Sequence, residues 1–194
     1  MEDIKKNILE SIEELNLDQE IELADIPKLD LYMDQVITLF ESSLSGTKRN
    51  ENDKLLTKTM INNYTKDKIL MPIKNKKYSR NHIIMMILLY NLKQILSISD
   101  IKFLLNKIVV DSNSQKDIKL DSLYQVFLDI KKAGENEFKK GIERKIDLIL
   151  EESKKLDQDG EYEKLLLVVL MLINNANIQR RAAEKIIDKY FRQS

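Results

Sequence analysis

Between Thr57 and Arg80 lie ten side chains whose types and spacing suit recognition of a polyanion: Thr57, Lys58, Asn62, Asn63, Tyr64, Lys66, Lys74, Lys76, Lys77 and Arg80. Lysine and arginine hold phosphate oxygens, by point charge and by planar fork respectively. A carboxamide presents a donor and an acceptor side by side, the pattern that fits an adenine edge in a major groove. For Asn62 and Asn63 the plainer reading is an asparagine-rich composition. For Tyr64 it is a core aromatic, which still leaves room for a hydroxyl turned toward a phosphate backbone. Charge makes the cluster stand out. Residues 54–80 hold eight bases and one acid, Asp67, whereas residues 1–53 hold fourteen acids and five bases. Residues 81–107 carry a net charge of +2, residues 108–194 are balanced, and the whole chain is formally neutral. A basic stretch in a neutral chain is a local field that draws phosphates. Its plain alternative is a solvated face.

Other chemistries lack their residues. There is no cysteine, which removes disulfides, thiolate metal sites and thiol nucleophiles together. The lone histidine, His82, falls at the third position of a helix, where a surface or capping role is expected. No metal-ligand spacing, phosphate-cradling glycine loop or nucleophile elbow occurs. Thirty-two acids spread along helical patterns suit solvated faces, with no pair set apart for acid–base work. The sequence therefore predicts no catalysis, no cofactor and no metal.

The elements that must position the basic cluster are helical. Four glycines and two prolines, with abundant Leu, Ile, Lys and Glu, favour an all-α fold. Ile4, Ile8, Leu9, Ile12 and Leu15 predict an amphipathic helix over 2–16, followed by an acidic connector, 18–29. Asp30 is placed to cap a helix carrying Val36, Phe40 and Leu44, and 45–53 reads as a loop. Thr57 caps a short helix with Met60, Ile61 and Tyr64 on its apolar side, ending before Pro72. Residues 73–78 suit a minimal two-stranded ribbon turning at Asn75. Ser79 opens a helix to about Leu96, apolar around most of its girth and hence buried on several sides. Ser97 with Asp100 opens the next helix in a capping-box pattern. Polar residues 111–119 mark a boundary. Beyond them a long amphipathic stretch weakened by Gly134 and Gly141 leads to a turn at 157–160. An apolar helix over 162–174, a break at 174–177 and a final helix complete the chain. The apolar run Leu165–Ile173 is either the centre of a C-terminal bundle or a surface covered by a second subunit.

That nine-residue run is the longest, and a membrane span needs about 20 residues. With an acidic start, Met1-Glu2-Asp3, and no apolar leader after it, the chain is expected to be soluble and cytoplasmic, with no membrane partner.

The segment Ile61-Asn62-Asn63-Tyr64-Thr65-Lys66-Asp67-Lys68-Ile69-Leu70-Met71-Pro72 resembles the recognition helix and following turn of MerR-type regulators. Lys76-Lys77-Tyr78-Ser79, then Ile83, then Leu96 to Leu105, resembles the MerR wing and its two following helices. Leu31 to Val36 with Leu56 to Tyr64 is more similar still to an uncharacterised family of low-GC Gram-positive bacteria, a domain of unknown function with a MerR-like fold. The resemblance implies that Tyr64 supports the recognition helix and touches the backbone, that Lys76 contacts phosphate, and that Tyr78 closes the wing. The loop at 45–56 is longer than the MerR turn, and the wing lacks glycine. Effector-binding cysteines are absent, and the C-terminal region is not one unbroken coiled-coil helix.

The expectation is an all-α chain in three parts: an N-terminal helix and connector (1–29), a MerR-like winged helix-turn-helix (30–110) with a minimal two-stranded wing, and a C-terminal helical bundle for dimerisation or sensing (118–194). Its expected function is a DNA-binding transcriptional regulator, the helix 57–68 entering the major groove and the wing 73–78 lying on phosphates. Double-stranded DNA and a second copy are the expected partners, and no effector is named. The alternative is a protein-interaction module that uses a winged-helix fold without binding DNA.

Overall fold

The computed structural model describes residues 2–113, 119–156 and 160–192. Among them are seven α-helices: α1 (Glu2–Glu13), α2 (Met33–Leu44), α3 (Lys58–Lys66), α4 (Arg80–Lys93), α5 (Ile98–Asn113), α6 (Leu120–Ser153) and α7 (Glu161–Tyr190). Two short strands, β1 (Leu31–Tyr32) and β2 (Lys77–Tyr78), pair antiparallel, with Leu31 opposite Tyr78 and Tyr32 opposite Lys77. None of the described helices is long and apolar enough to cross a membrane.

The chain divides into two compact units. The larger takes in, as far as they are described, Gln19–Asp129 and the residues from Ala183 onward. Its centre is α4, in which His82 to Ile87 and Leu89 are all buried. Around α4 pack Val36, Phe40 and Leu44 of α2, Ile61 and Tyr64 of α3, and Ile101, Leu105 and Val109 of α5. A helix apolar around its circumference must be covered on every side, and this one is. The smaller unit comprises α1, residues 130–153 of α6 and residues 161–182 of α7. There Ile8 of α1 meets Ile142, Ile146 and Leu150 of α6 and Val168 of α7. Lys5 adds ion pairs to Glu143 (3.0 Å) and Asp147 (2.7 Å).

The structure corrects several sequence expectations. Asp30 caps no helix; α2 opens instead at Tyr32, whose backbone N–H donates to Gln35 Oε1 at 2.8 Å. Residues 73–78 turn back on themselves by a single antiparallel bridge, Lys74 with Lys77, and β2 is further paired with β1, 45 residues upstream, which the sequence did not show. The acidic connector is half core: Ile21 and Ile26 are fully buried. No boundary at 110 separates the cores, because Leu120, Tyr124 and Leu128 of α6 belong to the larger one. Residues 114–118 of the expected boundary, and 157–159 of the expected turn, lie outside the described residues. Asn174 to Asn177 do not break α7, because asparagine in mid-helix costs only tenths of a kcal/mol (roughly 0.7 at most). The run Leu165–Ile173 is two-faced: Val168 is buried and Met171 and Leu172 pack against the same core, whereas Leu165, Leu166, Val169, Leu170 and Ile173 are exposed.

Candidate nucleic-acid interface

Helix α3 carries the site, and its ends are fixed by local chemistry. At the start, Thr57 Oγ1 accepts the Met60 N–H at 3.1 Å, the cap expected from the sequence. At the end, the Ile69 N–H reaches the Tyr64 carbonyl (2.9 Å) and the Lys68 N–H reaches that of Thr65 (3.1 Å). These two bonds make a Schellman motif, with Lys68 in the left-handed region at φ 57°. Ile69 and Tyr64 are both buried, the apolar contact that accompanies such an ending.

Between these ends the helix is two-faced. Ile61 and Tyr64 are buried and Met60 is half-buried, while Lys58, Thr59, Asn62, Asn63 and Lys66 are exposed. At 100° per residue the exposed set occupies one continuous arc opposite the buried one. Lys58 is not a free cation, because its Nζ lies 2.7 Å from Asp34 Oδ1 on α2. Lys66 has no acidic partner among the described residues.

The second basic feature is a tight turn. The Lys77 N–H donates to the Lys74 carbonyl at 2.9 Å, and the intervening Asn75 and Lys76 have φ of 52° and 58°. Two positive φ values make a turn of the I′ hand, which follows the twist of paired strands. Asn75 was the residue expected to turn; Lys76 turns with it, without help from glycine. Lys74, Asn75 and Lys76 are exposed. Lys77 lies across the ladder from Tyr32, its Nζ 5.3 Å from that ring's centroid, so part of its charge is held on an aromatic face. Tyr78 is buried beneath the turn, where burial raises its hydroxyl above the ordinary tyrosine value and keeps it protonated.

Besides Thr57 and Lys58, two more of the ten candidates are committed elsewhere. The Tyr64 ring sits in the core, with Lys93 Nζ 5.7 Å from its centroid. The Arg80 guanidinium is a clasp: Nε donates to Asp121 Oδ2 at 2.9 Å, Nη2 to the Leu23 carbonyl at 2.7 Å, and Nη1 to the Ile26 carbonyl. It ties the start of α4 to α6 and to the connector, leaving little of its fork for a phosphate. Conversely, the sequence-derived set omits Lys54 and Lys68, both exposed and without an acidic partner among the described residues. They were counted in the basic stretch; what singles them out is position, just before the Thr57 cap and at the left-handed end of α3.

His82 serves structure. A backbone amide can only donate, so the Ser79 N–H (3.2 Å) makes His82 Nδ1 an acceptor and leaves the proton on Nε2, which faces the Pro72 carbonyl at 3.3 Å. Burial lowers its pKa, against the smaller raising effects of the Pro72 and Met71 carbonyls and of Asp30. Among the described residues no group of three or more His, Cys, Asp or Glu could hold a metal ion. What remains at the surface is a set of cations and carboxamides on α3 and the 74–77 turn, suited to binding anions.

Neither the curated proteins nor the solved structures compared with this chain give a match. A family match spans residues 21–127, and it coincides with the main segment of the larger unit, 19–129, to within two residues at each end. The physical ends agree. Buried Tyr124 donates its hydroxyl to the Ile21 carbonyl at 2.6 Å, closing the segment on itself. By that match the chain belongs to the family named Domain of unknown function (DUF1836).

Proposed function

We propose that this protein is a non-enzymatic DNA-binding transcriptional regulator of MerR-like type, with α3 read as the recognition helix and the 74–77 turn as its wing. The observation that carries this reading is the exposed arc Thr59, Asn62, Asn63 and Lys66 on a helix anchored at both ends, in the one strongly basic stretch of a neutral chain. In a major groove about 12 Å wide the carboxamides would meet base edges, while Lys66, Lys74 and Lys76 would meet phosphates. Lys58 joins them only by releasing Asp34. The test is titration of random-sequence duplex at two salt concentrations. Affinity should fall steeply with salt, and Lys66→Glu with Lys76→Glu should reduce it by at least about tenfold. Salt-independent binding, or unchanged affinity in the double variant, overturns the reading. Retention of an acidic protein in place of duplex would favour an interaction module.

We also propose that the protein acts as a homodimer, since a reader of two half-sites needs two copies. The exposed apolar side chains Leu166, Val169, Leu170 and Ile173 on α7 support this. Light scattering should return twice the 22.8 kDa chain mass; a monomer at micromolar concentration removes the proposal.

A further inference from the structure

Behind the exposed arc of α3, within the larger unit, lies a recess of about 200 Å³. Leu55, Leu56, Met60 and Tyr64 supply apolar wall, Lys54, Lys93 and Gln94 also line it, and no acid does. Tyr90 completes the lining, its hydroxyl 3.3 Å from Thr47 Oγ1. Two cations stand beside apolar surface with no lining carboxylate to neutralise them, Lys93 Nζ lying 5.7 Å from the Tyr64 ring centroid, and water wets the wall poorly. One kind of molecule resolves both, an anion with a compact apolar body. The volume lies below the roughly 300 Å³ at which sites for drug-sized ligands begin, which restricts the guest to a single ring or a short branched chain.

We propose that this recess binds a small apolar monocarboxylate, the body on Met60 and Tyr64 and the carboxylate between Lys54 and Lys93. Because Met60 and Tyr64 belong to α3, an occupied recess braces that helix from behind, which goes beyond the assignment of its outer face to DNA. No duplex enters the test, so the two readings stand or fall separately.

The probes are benzoate, the neutral isostere benzamide and inorganic phosphate, titrated into the full-length protein and followed by NMR at the Met60 methyl and the Tyr64 and Tyr90 rings. Benzoate should bind with a Kd of about 1 mM or tighter, shift all three sets of signals and slow amide exchange in α3. Benzamide and phosphate should each bind at least about fivefold more weakly, one lacking the charge and the other the apolar body. Lys54→Gln with Lys93→Gln, at two exposed positions, should weaken benzoate by at least about fivefold without unfolding the protein. Equal binding of benzamide makes the recess an uncharged apolar pocket, and equal binding of phosphate makes it a bare anion site. Either result overturns the proposal, as does the absence of shifts with benzoate at about ten times the expected Kd.

Discussion

At the scale of single residues, strain and protonation make sharp predictions. Lys76 occupies the left-handed region, where a side chain costs roughly 1–2 kcal/mol that glycine avoids. Lys76→Gly should therefore raise the thermal midpoint, by the equivalent of about 0.5–1 kcal/mol after glycine's larger unfolded-state entropy. On the proposed function it should also remove one phosphate contact, reducing the salt slope by about 1. Stability and affinity would move in opposite directions, which a purely structural lysine would not produce. His82 gives a pH dependence. Its folded pKa lies below the ordinary value near 6.5, chiefly through burial, so between the two values the unfolded chain binds the extra proton. Stability is then full above pH 6.5 and falls as pH drops through the interval beneath, by no more than about 1.4 kcal/mol per unit. Chemical denaturation between pH 7 and pH 5 should show this decline. His82→Gln, which keeps an acceptor at the third position of the Ser79 cap, should flatten it; a decline of equal slope in the variant would assign the effect elsewhere.

At the scale of elements, α6 carries an identifiable weakness. Gly134 and Gly141 lie within the helix, and a Cβ built on either meets nothing within 4 Å. Alanine at each position should add about 0.5–1 kcal/mol, and the two should sum because no contact is shared. A double variant no more stable than the parent, by urea denaturation, would show that these positions are covered in solution. The sequence marked both glycines as weak points but could not show that they stand in open space. Capping was more legible. Thr57 and the Ser97–Asp100 pair form the bonds that their spacing suggests, because a cap is decided within four residues. Asp30 failed as a cap because β1 claims the backbone leading into α2, a demand set by β2 far along the chain.

At the scale of the whole molecule, the two ends of the family segment are held together by a buried bond. Tyr124→Phe removes the donor to the Ile21 carbonyl and should cost about 1–3 kcal/mol, the penalty of a buried acceptor left unpaired. A thermal midpoint unchanged from wild type would show that the carbonyl finds another donor. The larger unit has a second closure at the far end of the chain. Ile187 is buried, Arg192 pairs with Asp100 at 2.7 Å, and its guanidinium lies 5.2 Å from the Phe103 ring.

By itself the sequence determined the helical class, the Ser and Thr caps, the buried α4, the left-handed Asn75 and the position of the basic stretch. All of these follow from local spacing, composition or periodicity. Only the tertiary structure decided that Arg80 is a clasp, that Tyr64 is core, that Lys58 is paired and that residues 19–29 and 120–129 complete the unit around α4. Each of those depends on a partner distant in sequence, and pairing across such distances leaves no periodic trace in the chain.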